Sequence, residues 1–277
     1  MPVDIPFHKM HGVGNDFVVI AAHEFARIPA GSQVETVRFL CDRHVGIGAD
    51  GVLTYSAVPD GLIFCIFNAD GSRDTMCGNG LRCVVTLLAE DRRIPTTGIA
   101  ITDSGDVRYT YLGEMQVMLQ LAAPQQFHAP ITIGDNVFSC INTGSPHAVT
   151  LLSECEGPNP VTFVTVSCDL ENHVDFPNGI STNWVWRDSS GDLRLRTWER
   201  GVGETLACGT GTCAAGVAVI NAFPEENTVT LTSVGGPLTV TWDAGPNDPV
   251  YLTGPAELVM QGLISVPDSV LTTQIGV

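Results

Sequence analysis

The chain has 277 residues, is 44% hydrophobic and carries a formal charge of −17. That length and apolar fraction suit one large domain or two modest ones, and so negative a charge excludes the basic footprint that nucleic acids and anionic membrane surfaces require. The nine cysteines are odd in number and scattered through apolar runs such as Phe64-Cys65-Ile66, the distribution of reduced core thiols in a cytoplasmic protein and not of a disulfide scaffold; no secretory leader or membrane-length apolar run is expected.

In chain order, the turn His11-Gly-Val-Gly-Asn-Asp16 leads into a short apolar strand, Phe17 to Ala22. Val34, Val37 and Leu40 are spaced for a helix ending at Cys41. A loop, Cys41 to Gly51, is followed by strands at Val52 to Tyr55 and Leu62 to Asn68. Cys77-Gly78-Asn79-Gly80 then opens an apolar helix, Leu81 to Glu90. Ile99 to Thr102, Val107 to Tyr111 and Met115 to Leu121 read as strands. The stretch from Ala122 to Pro130, with its two prolines, is the best domain boundary. Beyond it the scheme recurs, with strands at Asn136 to Ile141 and Ala148 to Leu152. A hairpin follows at Trp184 to Trp186 and Leu193 to Trp198, then Cys208-Gly209-Thr210-Gly211 before a small, apolar helix, Cys213 to Val219. Strands at Val229 to Thr232, Leu238 to Trp242 and Tyr251 to Leu252 complete the pattern. This is an α+β chain of two halves, each with mainly antiparallel strands and one central helix. The expected halves are residues 1–122, rejoined by a final strand in 263–277, and residues 123–262.

Three motifs carry little weight. Gly46-Ile-Gly-Ala-Asp-Gly51 matches a dinucleotide fingerprint, but a strand follows it where one should precede it, so it reads as a structural turn. Gly144-Ser145-Pro146-His147 lacks the second glycine of a nucleophile elbow. Cys41 and His44 have no matching second pair, so no metal site is expected.

The two Cys-Gly-x-Gly segments are different. They stand 131 residues apart, within the near copies Asp74-Thr-Met-Cys-Gly78 and Glu204-Thr-Leu-Ala-Cys-Gly209. A glycine-rich turn opening a helix points free N–H groups at an anion, and the helix end is expected to lower the thiol pKa. One copy would pass for a buried structural cysteine, and two copies argue against that. Two thiols on opposite faces of a carbon can invert it without moving base or substrate, one as thiolate base and the other as thiol acid. Pyridoxal phosphate, the usual alternative, needs a Schiff-base lysine, and Lys9 is the only lysine, so cofactor-free chemistry is expected. A single-cysteine hydrolase or transferase using His147, or a non-catalytic amino-acid-binding protein, stays open on the residues alone.

The chain resembles the diaminopimelate epimerase family over nearly its whole length. The resemblance rests on Lys9-Met-His-Gly-Val-Gly-Asn-Asp-Phe17, Arg43-His-Val-Gly-Ile-Gly-Ala-Asp-Gly51, Phe67-Asn-Ala-Asp-Gly-Ser72, Met76-Cys-Gly-Asn-Gly-Leu-Arg82, Asn142-Thr-Gly-Ser-Pro-His147 and Glu199 to Gly211. It implies two pseudo-symmetric domains, each a sheet or barrel wrapped around a central helix, with the active site in the cleft between them. It implies Cys77 and Cys208 as the acid–base pair, tuned by His147 and Glu199. Asn15, Asn68, Gly78, Asn79, Glu199, Arg200, Gly209 and Thr210 would hold a free amino acid. A homodimer without a cofactor is also implied. Ser145 and Ser181 align where the family usually has asparagines that bind the far end of diaminopimelate, and Asn183, two residues from Ser181, could substitute for the second. That departure leaves open a racemase of another amino acid, such as histidine.

Overall fold

The computed structural model describes residues 2–272, and these divide into two units, one running to Leu119 and resuming at Pro255, the other spanning Gln120–Gly254. The first pass along the chain gives β1 (Val3–Gly12), β2 (Asn15–Ala21), α1 (Ala22–Phe25), a 3₁₀ turn at Ala30–Ser32, α2 (Gln33–Cys41), β3 (Gly51–Val58), β4 (Gly61–Asn68), β5 (Arg73–Asp74), α3 (Gly78–Glu90), β6 (Thr97–Thr102), β7 (Gly105–Gly113) and β8 (Gln116–Leu121). The second gives β9 (Gln125–Ile133), β10 (Asn136–Asn142), β11 (Pro146–Leu151), α4 (Pro160–Glu171), β12 (Ser181–Arg187), β13 (Leu193–Glu199), β14 (Gly203–Thr205), α5 (Gly209–Ala222), β15 (Thr228–Ser233), β16 (Gly236–Thr241), β17 (Val250–Pro255), β18 (Glu257–Val266) and α6 (Asp268–Leu271).

Each unit follows one plan. In the first, strands neighbour one another in the order β18–β1–β2–β3–β4–β6–β7; the β2–β3 and β4–β6 pairs are parallel and the rest antiparallel. In the second, the order β9–β10–β11–β12–β13–β15–β16 repeats that sequence of senses pair for pair. Parallel neighbours need a crossover longer than a turn. In the first unit α1–α2 and α3 supply the two crossovers, and in the second α4 and α5 supply them. The α3 residues from Asn79 to Ala89 and the α5 residues from Gly211 to Ile220 are buried on every side. A helix whose buried surface runs all round it can sit only inside a core. So α3 packs among β1, β2, β3, β4 and β7, and α5 among β10, β11, β12, β13, β15 and β16.

Two sequence expectations are corrected. The return to the first unit begins at Pro255, not at 263, because β18 pairs with β1 from Glu257 to Val266. The expected boundary stretch from Ala122 to Pro130 overlaps β9, which pairs with β10. The ladder skips register beside Pro130, where the missing N–H forbids a bond, as befits proline on a strand. At the glycine-rich turn after α2, a Cβ on Gly46 would lie 1.8 Å from the Phe39 carbonyl oxygen and Gly48 has φ +78°, so these glycines serve packing.

Candidate active site

Cys77 and Cys208 are each the N-cap of their unit's central helix. Both have extended backbones (φ −140°, ψ 116° and φ −125°, ψ 120°), and each sulfur accepts the N–H of the third helical residue. Gly80 N lies 3.5 Å from Cys77 Sγ, and Gly211 N lies 3.4 Å from Cys208 Sγ. The preceding first-turn N–H groups, on Gly78 and Asn79 or on Gly209 and Thr210, have no helix carbonyl within reach and sit at the positive helix end.

In the first unit Asn15 meets this turn. Its Oδ1 accepts from Asn79 Nδ2 at 3.2 Å and from the Cys77 thiol at 3.7 Å. The amide cannot turn over, because its Nδ2 donates to Asp50 at 2.8 Å. Asp50 in turn takes the Asp16 N–H and the Arg43 guanidinium. Burial alone would raise the Asp16 carboxyl, but hydrogen bonds from Arg43 and Lys9 outweigh it and hold it at about 2. Behind the helix end, Arg82 is fully buried and donates to Asn79 Oδ1 at 2.8 Å, fixing that side chain too. Asn68, at the end of β4, donates to Ser72 Oγ at 3.1 Å.

In the second unit the polar set is denser. Thr210 Oγ1 lies 3.5 Å from Cys208 Sγ, 2.9 Å from His147 Nε2 and 3.0 Å from Ser145 Oγ, and Ser145 Oγ lies 2.8 Å from the same Nε2. Thr143 Oγ1 donates to the Thr210 carbonyl at 2.7 Å and pins the loop to the helix end. Glu199 accepts from Thr205 Oγ1 at 2.6 Å. Arg200 N donates to Ser181 Oγ at 3.1 Å, and the Arg200 guanidinium donates to the Asn178 carbonyl at 2.8 Å.

The electrostatics correct the expectation of a lowered thiol at this helix. Burial, reinforced by the charge and hydrogen bond of Glu199, pushes Cys208 well above the usual thiol range; the Thr210 hydroxyl and Gly211 N–H oppose this without prevailing. Cys208 is therefore a thiol at neutral pH, suited to give a proton. Burial, and then the Arg200 charge, pushes His147 down to about 3, so its ring is neutral.

The sequence reading took Asn183 only as a substitute at the place of Ser181 and passed over Thr197. Asn183 Nδ2 lies 3.0 Å from His147 Nδ1, and Thr197 Oγ1 donates to Asn183 Oδ1 at 3.0 Å. The signal for Thr197 was strand alternation: it continues the inward row of Leu193 and Leu195 on β13. Strand register shows what stands at the matching places in the first unit. Phe17 faces Gly51 as His147 faces Ser181, Leu53 faces Val19 as Asn183 faces Val149, and Leu53 faces Ile66 as Asn183 faces Thr197.

The diaminopimelate epimerase family model matches residues 7–121 and 139–259. A diaminopimelate epimerase of Rhizorhabdus wittichii is 38% identical over 271 residues, covering 92% of this chain and 93% of that protein. One from Teredinibacter turnerae is 36% identical over 282 residues, covering 94% and 99%. Among solved structures, a hydroxyproline epimerase from Agrobacterium vitis with bound trans-4-hydroxy-L-proline has a TM-score of 0.66 at 18% identity, covering 95% of this chain and 93% of that one. A phenazine biosynthesis protein of the PhzF family from Bacillus anthracis has a TM-score of 0.70 at 14% identity, covering 94% and 99%. These two share the fold. With the sequence matches running through both cysteine turns, the chain belongs to the diaminopimelate epimerase family of isomerases.

Proposed function

We propose that this chain inverts the α-carbon of a free amino acid, most directly LL-diaminopimelate, with Cys77 and Cys208 as the two proton carriers. The observation that carries the proposal is the repeated cap: at equivalent places in both units a cysteine sulfur takes the third helical N–H beside two further donors. A thiolate on one face takes the α-proton, the electron pair stays at Cα, and the thiol on the other face delivers its proton. First-turn N–H groups beside each sulfur would hold the substrate carboxylate as charge builds next to it. Asn15, Asn68, Asn79, Glu199, Arg200 and Thr210 would hold the rest of the substrate. No cofactor is proposed, since Lys9 is buried and engaged by Asp16 and the Gly48 carbonyl, unavailable for a Schiff base.

Ser145 and Ser181 favour a second reading. Both hydroxyls are engaged within their unit, Ser145 by His147 and Thr210 and Ser181 by Arg200 N. A racemase of another polar amino acid, histidine among them, would need less of the pocket that binds a distal carboxylate. The test is solvent deuterium incorporation at Cα, with kcat/KM for LL-diaminopimelate compared against L-histidine and other free amino acids. Preference for diaminopimelate supports the first reading, preference for another amino acid supports the second, and no exchange with any of them defeats both.

The proposed setting is a cytoplasmic homodimer. No helix among the described residues is long and apolar enough to cross a membrane. β18 exposes Leu258, Val259, Met260 and Leu263, an apolar strand surface that a second copy would cover. A monomeric mass by sedimentation would refute the dimer.

A further inference from the structure

His147, Asn183 and Thr197 are all buried, with exposures of 0%, 0% and 1%. Phe17, Leu53 and Ile66 hold the matching strand positions in the first unit. The fold is therefore satisfied by apolar side chains at these places, and burying three polar ones costs free energy that their hydrogen bonds only offset. Their directions follow from the sulfur. A thiolate can only accept, so beside it Thr210 must donate its hydroxyl proton to Sγ, and its oxygen is left to accept. Two groups face that oxygen, Ser145 Oγ at 3.0 Å and His147 Nε2 at 2.9 Å, and Nε2 also lies 2.8 Å from Ser145 Oγ. A neutral ring protonated at Nε2 has a bare Nδ1, which needs a donor. Asn183 Nδ2 supplies it at 3.0 Å, and the same amide's Oδ1 is held in place by the Thr197 hydroxyl. The bonds run one way, from Thr197 through Asn183, His147 and Thr210 to Cys208.

We propose that Asn183 is a positioning residue for Cys208: it fixes His147 as the Nε2–H tautomer, so that the Thr210 hydroxyl donates into Sγ and holds the thiolate left when the thiol gives up its proton. In that step the S–H bond breaks, the proton joins the carbanion at Cα, and the electron pair stays on sulfur. The role in turnover rests on the epimerase reading above, whereas the tautomer and its effect on the thiol do not. Arg200 is the charged group that acts on this ring, and Glu199 is the one that acts on Cys208.

Two measurements on the full-length protein test this. The first is ¹⁵N spectroscopy of the His147 ring, assigned by loss of its signals in His147→Phe. The wild type should show a protonated Nε2 and a bare Nδ1, and Asn183→Asp, which can only accept, should show a protonated Nδ1. A wild-type ring protonated at Nδ1 overturns the proposal whether or not any substrate is known. The second is Asn183→Leu, which places the first unit's residue at this position. Its Cys208 ¹³Cβ resonance should titrate about one pH unit higher than in the wild type. Inversion should lose about tenfold in kcat with KM little changed, the worth of one hydrogen bond to the sulfur. An unchanged Cys208 titration overturns the proposal. A shifted titration with no amino acid inverted by the wild type supports it while defeating the epimerase reading.

Discussion

Under the second glycine of its Cys-Gly-x-Gly turn, the first unit places apolar side chains, and the second places amide and imidazole. A Cβ on Gly80 would meet Leu53 Cδ2 at 2.9 Å and Cδ1 at 3.1 Å, with Phe64 beyond. A Cβ on Gly211 would meet Asn183 Oδ1 at 2.5 Å and His147 Cε1 at 3.3 Å. The strand plan is the same, so the difference lies in the side chains set beneath the two thiols. Cys77 meets its polar partner from the side, through Asn15 on the turn that opens β2, with Asp50 holding the amide. Cys208 has its partners built into the strands beneath it. A unit can thus cap its helix with a cysteine over either kind of floor. The polar floor is an addition to the fold and not a requirement of it.

The largest expected effect tests whether the two cysteines are equals despite these surroundings. Cys77→Ala and Cys208→Ala should each lower inversion by roughly 10²- to 10⁴-fold or more, the range for loss of an acid–base group. Proton exchange at Cα without inversion can persist through the thiol that remains. Inversion and deuterium wash-in, followed together by chiral chromatography and mass spectrometry, separate the two. Either variant turning over near the wild-type rate would show that its cysteine is structural.

Much of this was legible in the sequence where a local pattern had a single cause. The cap cysteines, the glycines after them and the apolar helices identified both central elements, because helix N-termini and buried helices each leave a composition. The resemblance supplied Asn15, His147 and Glu199, which no spacing could bring to the cysteines. β18 was legible only at its end, since its residues from Glu257 to Leu263 are exposed and give no alternation. α4 went unread although Asn159 and Pro160 form a good N-terminus and Phe163, Val166 and Leu170 make a buried stripe. Exposed Val161 and Val164 blur that stripe. Asn183 was noticed only as a neighbour of Ser181, because its meaning lies in cross-strand register with Thr197 and Val149, which the chain does not print.

A smaller effect separates the two floors directly. In Gly80→Ala the new methyl presses on the flexible end of Leu53, which can shift, so stability should change by no more than about 1 kcal/mol. In Gly211→Ala it presses on the Asn183 carbonyl, which is buried and bonded to Thr197. Displacing it leaves polar groups unpaired, costing about 1–3 kcal/mol. Urea denaturation of the two variants measures the contrast. Equal costs, or a larger one at Gly80, would mean that the Asn183 amide is not held as described.

The last prediction uses pH and exchanges one floor for the other. His147 is held at about 3 in the folded protein, against an ordinary 6.5. Above pH 6.5 neither state binds a proton here, and stability is untouched. As pH falls from 6.5 toward 3, the unfolded chain takes up the proton and the native one does not, so the native state loses about 1.4 kcal/mol per unit. Between pH 7 and pH 5 this ring alone should remove about 2 kcal/mol. Asp16, held at about 2, titrates below that window and does not confuse it. Grafting the first unit's set into the second, as His147→Phe, Asn183→Leu and Thr197→Ile together, removes the titration. Because His147, Asn183 and Thr197 are replaced together, and the remaining Ser145 and Thr210 hydroxyls keep their bond to each other, no polar group is stranded, and stability at pH 7 should stay within about 1 kcal/mol of the wild type. The graft should then lose about 2 kcal/mol less than the wild type between pH 7 and pH 5, measured by urea denaturation at each pH. If the two proteins fall in parallel, His147 is not buried as a neutral ring. If the graft instead collapses at pH 7, the second unit depends on its polar floor for folding, and the contrast between the units is structural after all.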